Sequence, residues 1–445
     1  MSLDLRSTTW RRLGSLLAVA ALAVTACGTG GGGGGGGGEG GNSASAPGVT
    51  ANSVLIGSTQ PLTGPAAPGY SEIAPASDAM FKYINSQGGM NGRTIQYKYI
   101  DDTYNPTKTV DLTKQLVLED KVYAVFDALG TPTHTKVLDY LNSSRVPDLF
   151  VASGCRCWDD PKKYPYTFGW QPDYVVTGKI LGKYIKDNFQ GKKVGYLYQN
   201  DDFGQDGVQG LDKEIPASMV VDKQPYETSQ LSQPGGLSPQ LNTLKAKGAQ
   251  VIAMYTIPGA SASAIATAAR LSYQAQFVVS DVGSDPVTVG NLLKSVGGTQ
   301  AMEGLVTDAY LPSYGGQPND PWVVLFKKIH DQYIPNLPFD GNVEFGMAVA
   351  YTFAQALKAA GKNPTRQSLV QAVENNGASW QGPWLVPFRF SKNSHAGFTG
   401  GQIAIIKNGV AVLQGSPQTT DDGGGAIKDY TSKPQAPSAG GIIKS

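Results

Sequence analysis

From Val54 onward the chain alternates short apolar runs with longer stretches whose apolar positions recur at helical spacing. The first run, Val54 to Gly57, predicts a buried strand, followed by a Pro/Gly loop from Pro61 to Gly69. Ile73, Ala76, Met80, Tyr83 and Ile84 then share one helix face, and Gly88-Gly89 supplies residues that reach the left-handed conformation at a helix end. The same reading predicts a strand over 93–100, a helix over 106–119, a strand over 122–126, a turn at Gly130, a helix through Val137 and Leu141, and a strand ending near Ala152. Further strand and helix candidates lie at 173–188, 193–198, 204–214, 219–222, 238–246, 251–255, 260–271 and 277–280. Repeated strand–helix units imply parallel sheets with helices on both faces, because right-handed crossovers force that packing. The expected fold is α/β, with two Rossmann-like lobes, each built on a parallel-rich sheet, joined by a three-strand hinge.

The two runs part around Phe168 to Asp173. A later helical stretch (321–333, 343–360 and 365–375) would complete the first lobe, and a hairpin of 403–407 with 410–413 around Asn408-Gly409 would finish the second. The chain is then expected to cross between lobes near 172, 305 and 385. Lobe 1 becomes 52–172 plus 306–384, lobe 2 becomes 173–305 plus 385–416, and 417–445 is a largely irregular tail. One merged sheet or three independent domains are the alternatives. Several crossovers make a hinge that bends without letting the lobes wander, which suits closure over a solute.

The N-terminus changes the picture from a free protein to a tethered one. Arg6, Arg11 and Arg12 precede an apolar run, Leu13 to Ala26, that is too short for a stable bilayer span, so 1–26 reads as a lipoprotein signal peptide. Val24-Thr25-Ala26-Cys27 resembles a bacterial lipobox, in which Cys27 becomes the first mature residue and carries the lipid. Residues 27–51, with the glycine run Gly30 to Gly38, read as a flexible tether with a span of roughly 5–6 Å times the square root of its length. The expected location is extracytoplasmic, on the outer face of the cell membrane. An ordinary secretory peptide is the alternative.

The chain has 445 residues, with 36 Lys+Arg against 35 Asp+Glu. Without 1–26 the balance is 33 against 34, so no global field invites nucleic acid, and the expected partner is a small molecule. No Gly-x-Ser-x-Gly elbow, Walker loop, His-Glu-x-x-His or dinucleotide fingerprint occurs. The only histidines are His134, His330 and His395, none at metal-motif spacing. No catalytic residue, metal or cofactor is assigned, and the chain is expected not to be an enzyme. Cys155 and Cys157 form a Cys-x-Cys pair, reduced or bridged, in a compartment that permits disulfides. Tyr70, Trp158, Phe168, Trp170, Phe203 and Tyr255 favour a pocket for an apolar or aromatic body, with Tyr70 as the preferred lid.

Several stretches together resemble the periplasmic leucine/isoleucine/valine-binding protein family, the solute-binding subunits of branched-chain amino acid type ABC importers. They are Ile56-Gly57-Ser58 through Pro61-Leu62-Thr63-Gly64, Asn85 to Gly92, Asp101-Asp102 followed by Pro106, Tyr198 to Gly204, and Met302-Glu303-Gly304. The resemblance covers about 52–415. It implies membrane permease subunits of an ABC transporter as partners, and amino acids, aromatic acids, amides or urea as solutes. It places Thr131 as the hydroxyl donor to a substrate carboxylate, with Ala152, Ser153 and Gly154 across a second loop. Gly154 stands where a Thr is frequent, which leaves that hydroxyl missing or moved to Ser153. Phe203 matches a ring against the ligand and Asp281 an acceptor for the substrate ammonium. Ile257, after Tyr255, replaces an aromatic contact and departs from a strict leucine-type site. The reading that emerges is capture of a small carboxylate-bearing solute, an amino acid or an aromatic or apolar acid, by closure of two lobes. A ligand-sensing receptor acting with a separate signalling partner and an extracellular hydrolase are the rival readings.

Overall fold

A computed structural model describes residues 42–433 and 435–443. The expected signal peptide, Cys27 and the glycine run lie outside the described residues. The body contains two sheets. The first is entirely parallel in the order β2-β1-β3-β4-β5, formed by β1 (Ser53–Gln60), β2 (Thr94–Asp101), β3 (Val125–Phe126), β4 (Asp148–Val151) and β5 (Thr167–Gly169). The second begins with five parallel strands in the order β7-β6-β8-β9-β10: β6 (Val194–Gln199), β7 (Val220–Tyr226), β8 (Val251–Tyr255), β9 (Gln276–Val279) and β10 (Val306–Ala309). Counted within each lobe, the two parallel orders are the same, with the switch point between the first and third strands. Every residue of β3, β4 and β8 is buried, as strands covered by helices on both faces must be.

The edge of the second sheet continues antiparallel through β11 (Gly400–Lys407), β12 (Val410–Leu413), β13 (Gln418–Thr419) and β14 (Lys428–Asp429). β10 therefore belongs to the second sheet, and the return to the first lobe follows residue 309 instead of falling at 306. The reason is pairing: β10 is held by β9 on one side and β11 on the other. The helices Pro321–Tyr333, Gly341–Ala359 and Arg366–Asn376 then pack with the first lobe, where Ser77 Oγ donates to Gly346 O at 2.8 Å.

Each of the three crossings contributes rings to one buried cluster. Trp170, from the first, is fully buried, with ring centroids of Tyr310, Phe345, Trp384, Phe388 and Phe398 at 5.0–6.1 Å. Its indole N–H donates to Thr352 Oγ1 at 3.1 Å.

One expectation of loose chain is corrected. Residues 42–51, assigned to the tether, lie against the body: Val49 is buried, and the buried Arg93 guanidinium donates to Thr50 O (2.6 Å), Ser43 O (2.9 Å) and Lys362 O. The tail after 416 is docked as well as paired. The ammonium of buried Lys179 donates to Thr420 Oγ1, Asp421 O and Gly425 O at 2.6–2.8 Å. Further along, Trp322 Nε1 donates to Gln435 O, Tyr83 OH to Gly440 O and Lys358 Nζ to Ile443 O. The tail is short of hydrophobic residues, and buried donors on the body hold its carbonyls instead.

In the second lobe the helix Tyr174–Asn188 lies against Asp202–Glu214 through glycines. A Cβ on Gly210 would meet Val175 O at 2.4 Å and Gly178 Cα at 2.7 Å, both backbone atoms that cannot step aside. Gly210→Ala is expected to destabilise the protein by roughly 1–3 kcal/mol, read as a lower melting temperature; an unchanged melt would contradict this packing.

Candidate functional site

Parallel sheets bring the loops after their strands to one edge, and the widest crevice opens at the switch point. Here the loop after β1 carries Tyr70, the loop after β3 carries Gly130 and Thr131, the helix after β6 starts beside Phe203, and Ile257 follows β8. All of them line one cavity of about 420 Å³. Ala152 after β4, Asp281 after β9, Tyr310 after β10 and Tyr174 after β5 complete the inner wall. The wall is largely apolar and aromatic, with Tyr174 and Phe203 rings 4.7 Å apart.

Its charges are all of one sign. Asp281, Asp285, Asp308, Asp340 and Glu344 line the cavity, and among the described residues no Lys, Arg or His does. Asp308 is 2% exposed; its Oδ1 accepts the Asp281 N–H at 3.0 Å, and its Oδ2 has no hydrogen-bond partner. Burial pushes the Asp308 carboxyl up to about 7. Burial, reinforced by the Asp308 charge, pushes Asp281 well above the usual carboxylate range. Tyr70, Tyr174 and Tyr310 all lie within the field of Asp281.

The other carboxylates join the lobes. Asp285 caps the helix Pro286–Leu292 and its Oδ2 accepts the Gly341 N–H of the opposite lobe at 3.0 Å. Asp340 caps the helix Gly341–Ala359 and its Oδ2 accepts from Thr288 Oγ1 at 2.6 Å. Two helix N-termini thus face each other, each capped by an aspartate that also reaches the opposite helix. Nearby, Glu72 is raised to about 9 by burial and by Asp340. Tyr70 OH donates across the gap to Val282 O at 3.3 Å, and Tyr104 OH accepts from Gln199 Nε2 at 3.3 Å.

Residues 53–410 match the family model for the periplasmic binding protein. The chain belongs to the periplasmic binding protein family. Among curated relatives it is similar to Leu/Ile/Val-binding protein homolog 1 of Brucella suis biovar 1 (strain 1330), 24% identical over 334 residues that cover 73% of this chain and 83% of the relative. Among solved structures it is similar to a branched chain amino acid ABC transporter from Thermus thermophilus with bound valine, at 21% identity and a TM-score of 0.69 over 83% of this chain and 97% of the other. It is also similar to a fatty acid ABC transporter substrate-binding protein from Thermomonospora curvata, at 20% identity and a TM-score of 0.73 over 85% and 95%. Those two likenesses show a common fold. A periplasmic binding protein is an extracytoplasmic binder of small molecules, and the switch-point cavity is where this fold presents facing loops.

Of the residues singled out from sequence, Tyr70, Thr131, Ala152, Phe203 and Asp281 come together in the wall, and Ile257 with them. Ser153, Gly154 and Tyr255 stand behind it. Ser153 Oγ is spent on Thr131 Oγ1, 2.6 Å away, and on the Cys155 N–H at 3.2 Å. Gly154 backs onto the chain, where a Cβ would meet Pro172 O at 2.2 Å. The Tyr255 ring supports Gly207, and its hydroxyl pairs with Thr177 Oγ1 at 2.8 Å. Trp158, Phe168 and Trp170 are also outside the wall: Trp158 packs on His134, Phe168 stacks on His395, and Trp170 belongs to the hinge. Cys155 and Cys157 are bridged to each other. Their loop carries Arg156 to the second lobe, where its backbone N–H donates to Asp206 Oδ2 at 3.1 Å and its side chain to Gln209 Oε1 at 2.9 Å.

Sequence reasoning missed Asp308 and Tyr310. The signal was a short run, Val306 to Ala309, with an acid in third place and followed by Tyr310-Leu311-Pro312. Asp285 precedes Pro286 as a helix cap does, and nothing local pointed to its contact with the helix that Asp340 caps.

The buried carboxyls set a pH dependence. An unfolded aspartate ionises near ~3.9, whereas Asp308 in the fold is held up to about 7. The folded state therefore binds the extra proton, and the stability it contributes is complete below the unfolded value and lost as pH rises through about 7. Asp285, also raised to about 7, acts in the same direction. The melting temperature of the empty protein is expected to fall between pH 5 and pH 8, less steeply in Asp308→Asn. A melting temperature that climbs over that interval would contradict it.

Proposed function

We propose that this periplasmic binding protein is the capture component of an ABC importer, closing its two lobes on a small solute with an apolar body and an amino group, as in an amino acid. The observation that carries the reading is the switch-point cavity, with apolar and aromatic walls from both lobes and, among the described residues, acidic side chains as its only charged groups. Asp281 is the acceptor for the amino group, Thr131 the hydroxyl facing the polar end, and Phe203 and Tyr70 the rings against the body. A benzoate-like or fatty acid suits the wall less well, because its carboxylate would enter without a counter-charge. A receptor that signals and an extracellular hydrolase draw no support from a specific feature of this cavity. Delivery to permease subunits follows from the importer reading, and lipidation of Cys27 would keep the body at the membrane.

Calorimetry with leucine, phenylalanine and benzoate, with X-ray scattering of the empty and loaded protein, tests the reading. Amino acids are expected to bind and to change the scattering profile as the lobes adjust. Asp281→Ala should weaken amino-acid binding by about tenfold or more, as loss of a charged partner does. Failure of all solutes, including any compound released from the purified protein under native mass spectrometry, would count against a binding role. Separately, Cys27→Ser is expected to move the protein from the membrane to the soluble fraction, and retention at the membrane would contradict the anchor.

A further inference from the structure

The cavity is longer than an amino acid needs. Its wall runs from Phe203, at the start of the helix after β6, to Val410 and Ala411 on β12. In the pairing order β6-β8-β9-β10-β11-β12 that crosses five strand spacings, which at ~4.8 Å each span on the order of 20 Å in a twisted sheet. Spread over that length, the volume of about 420 Å³ leaves a mean cross-section of about 20 Å². One extended hydrocarbon chain, its carbons packing at ~3.5–4.0 Å from the wall, takes up such a channel. The length is not that of a gaping cleft, because hydrogen bonds from Thr288 to Asp340 (2.6 Å), Gly341 to Asp285 (3.0 Å) and Tyr70 to Val282 (3.3 Å) already join the lobes.

Beyond β10 the channel is built from apolar groups. Leu311, Pro312, Phe339, Val410 and Ala411 line it, and the loop that carries Leu311 and Pro312 is fitted to β12 by glycines. A Cβ on Gly315 would meet Val410 Cγ1 at 2.9 Å, and one on Gly316 would meet Ala411 O at 2.4 Å. Val287 and Tyr314, exposed at 37% and 44%, belong to the same wall, apolar surface that water meets until something covers it. The acids on this stretch are already engaged by the fold, since Asp285, Asp340 and Glu344 each accept from backbone N–H donors. They ask for no partner on the solute.

We infer that the solute is an amphiphile with a long, unbranched apolar chain, its polar head at the switch point and its chain running beneath residues 311–315 to Val410. This rests on the reading of the cavity as the solute site. A short amino acid such as leucine fills only the head end and leaves the apolar channel to water. Each methylene added to the chain removes more of that wall from water. A branched or bulky body is held back, because the channel is one chain wide. Phe339 and Val410, from opposite lobes, form the far wall at which chain length is read.

Two chain-length series with constant heads test this by calorimetry on the whole protein: norleucine, 2-aminooctanoate and 2-aminodecanoate; hexanoate, octanoate and decanoate. Affinity is expected to rise about tenfold with each two methylenes in the series whose head is accepted, as burial of a hydrocarbon chain gives. Val410→Trp, which fills the far end of the channel, should cut the ratio between the longest and the shortest member by about tenfold or more. Phe339→Ala, which strips the facing wall, should lower the same ratio and provides a second variant should the first fail to melt cooperatively. A flat or falling affinity along both series overturns the chain and leaves the capture reading standing. A gradient confined to the alkanoates supports the chain and overturns the amino-group acceptor. A full gradient that survives in the well-folded variants overturns the course of the chain along this wall. No binding of any of the six overturns the cavity as the solute site, and the chain with it.

Discussion

Strands that run parallel must deliver every following loop to the same edge of their sheet, and both sheets of this protein obey that constraint in the same strand order. The switch point of the first lies between β1 and β3 and that of the second between β6 and β8. When the two edges face each other, four loops converge without any long excursion of the chain. Tyr70, Thr131, Phe203 and Ile257, far apart in sequence, therefore share one cavity. The side chains are replaceable; the convergence follows from strand direction.

The lobes meet in two chemically different ways. At the hinge the contact is dry and aromatic, with Trp170 buried among rings brought by all three crossings. At the mouth it is a small set of hydrogen bonds, from Thr288 to Asp340, from Gly341 to Asp285 and from Tyr70 to Val282. Water replaces a hydrogen bond at a net cost of about 1 kcal/mol, whereas separating packed rings forfeits their buried area, worth roughly 1.5–3 kcal/mol for a large side chain. The contacts at the mouth are thus the cheaper of the two to separate. The docked tail adds a further bridge: Lys179 holds it to the second lobe, while Trp322, Tyr83 and Lys358 hold it to the first.

The cavity tolerates its like charges because most of them have structural partners. Asp285 and Asp340 sit on opposed helix N-termini, whose unsatisfied N–H groups favour negative charge. Glu344 accepts the Tyr314 N–H at 2.7 Å. Asp308 keeps one buried oxygen, Oδ2, without a donor among the described residues, and burial raises its carboxyl to about 7, as it does that of Asp285.

Local pattern reached far in this chain. Apolar runs and glycine stops marked most strands and helices, because burial on both faces of a parallel sheet writes itself as short continuous hydrophobic stretches. Tyr70 was legible from the residues themselves, and Thr131, Ala152, Phe203 and Asp281 through the family resemblance; each lies in or just beyond a loop that follows a strand. Ser153, Gly154 and Tyr255 occupy equally suggestive places, yet a neighbouring hydroxyl, a carbonyl and a glycine claim their faces. Only tertiary structure turns a side chain toward the cavity or away from it. By itself the sequence determined two α/β lobes and the loops that would meet, because periodicity and turn chemistry are local. The tertiary structure decided the pairing of Asp281 with Asp308, the opposed caps Asp285 and Asp340, and the docking of the tail on Lys179, because each depends on a distance between segments that no local pattern encodes.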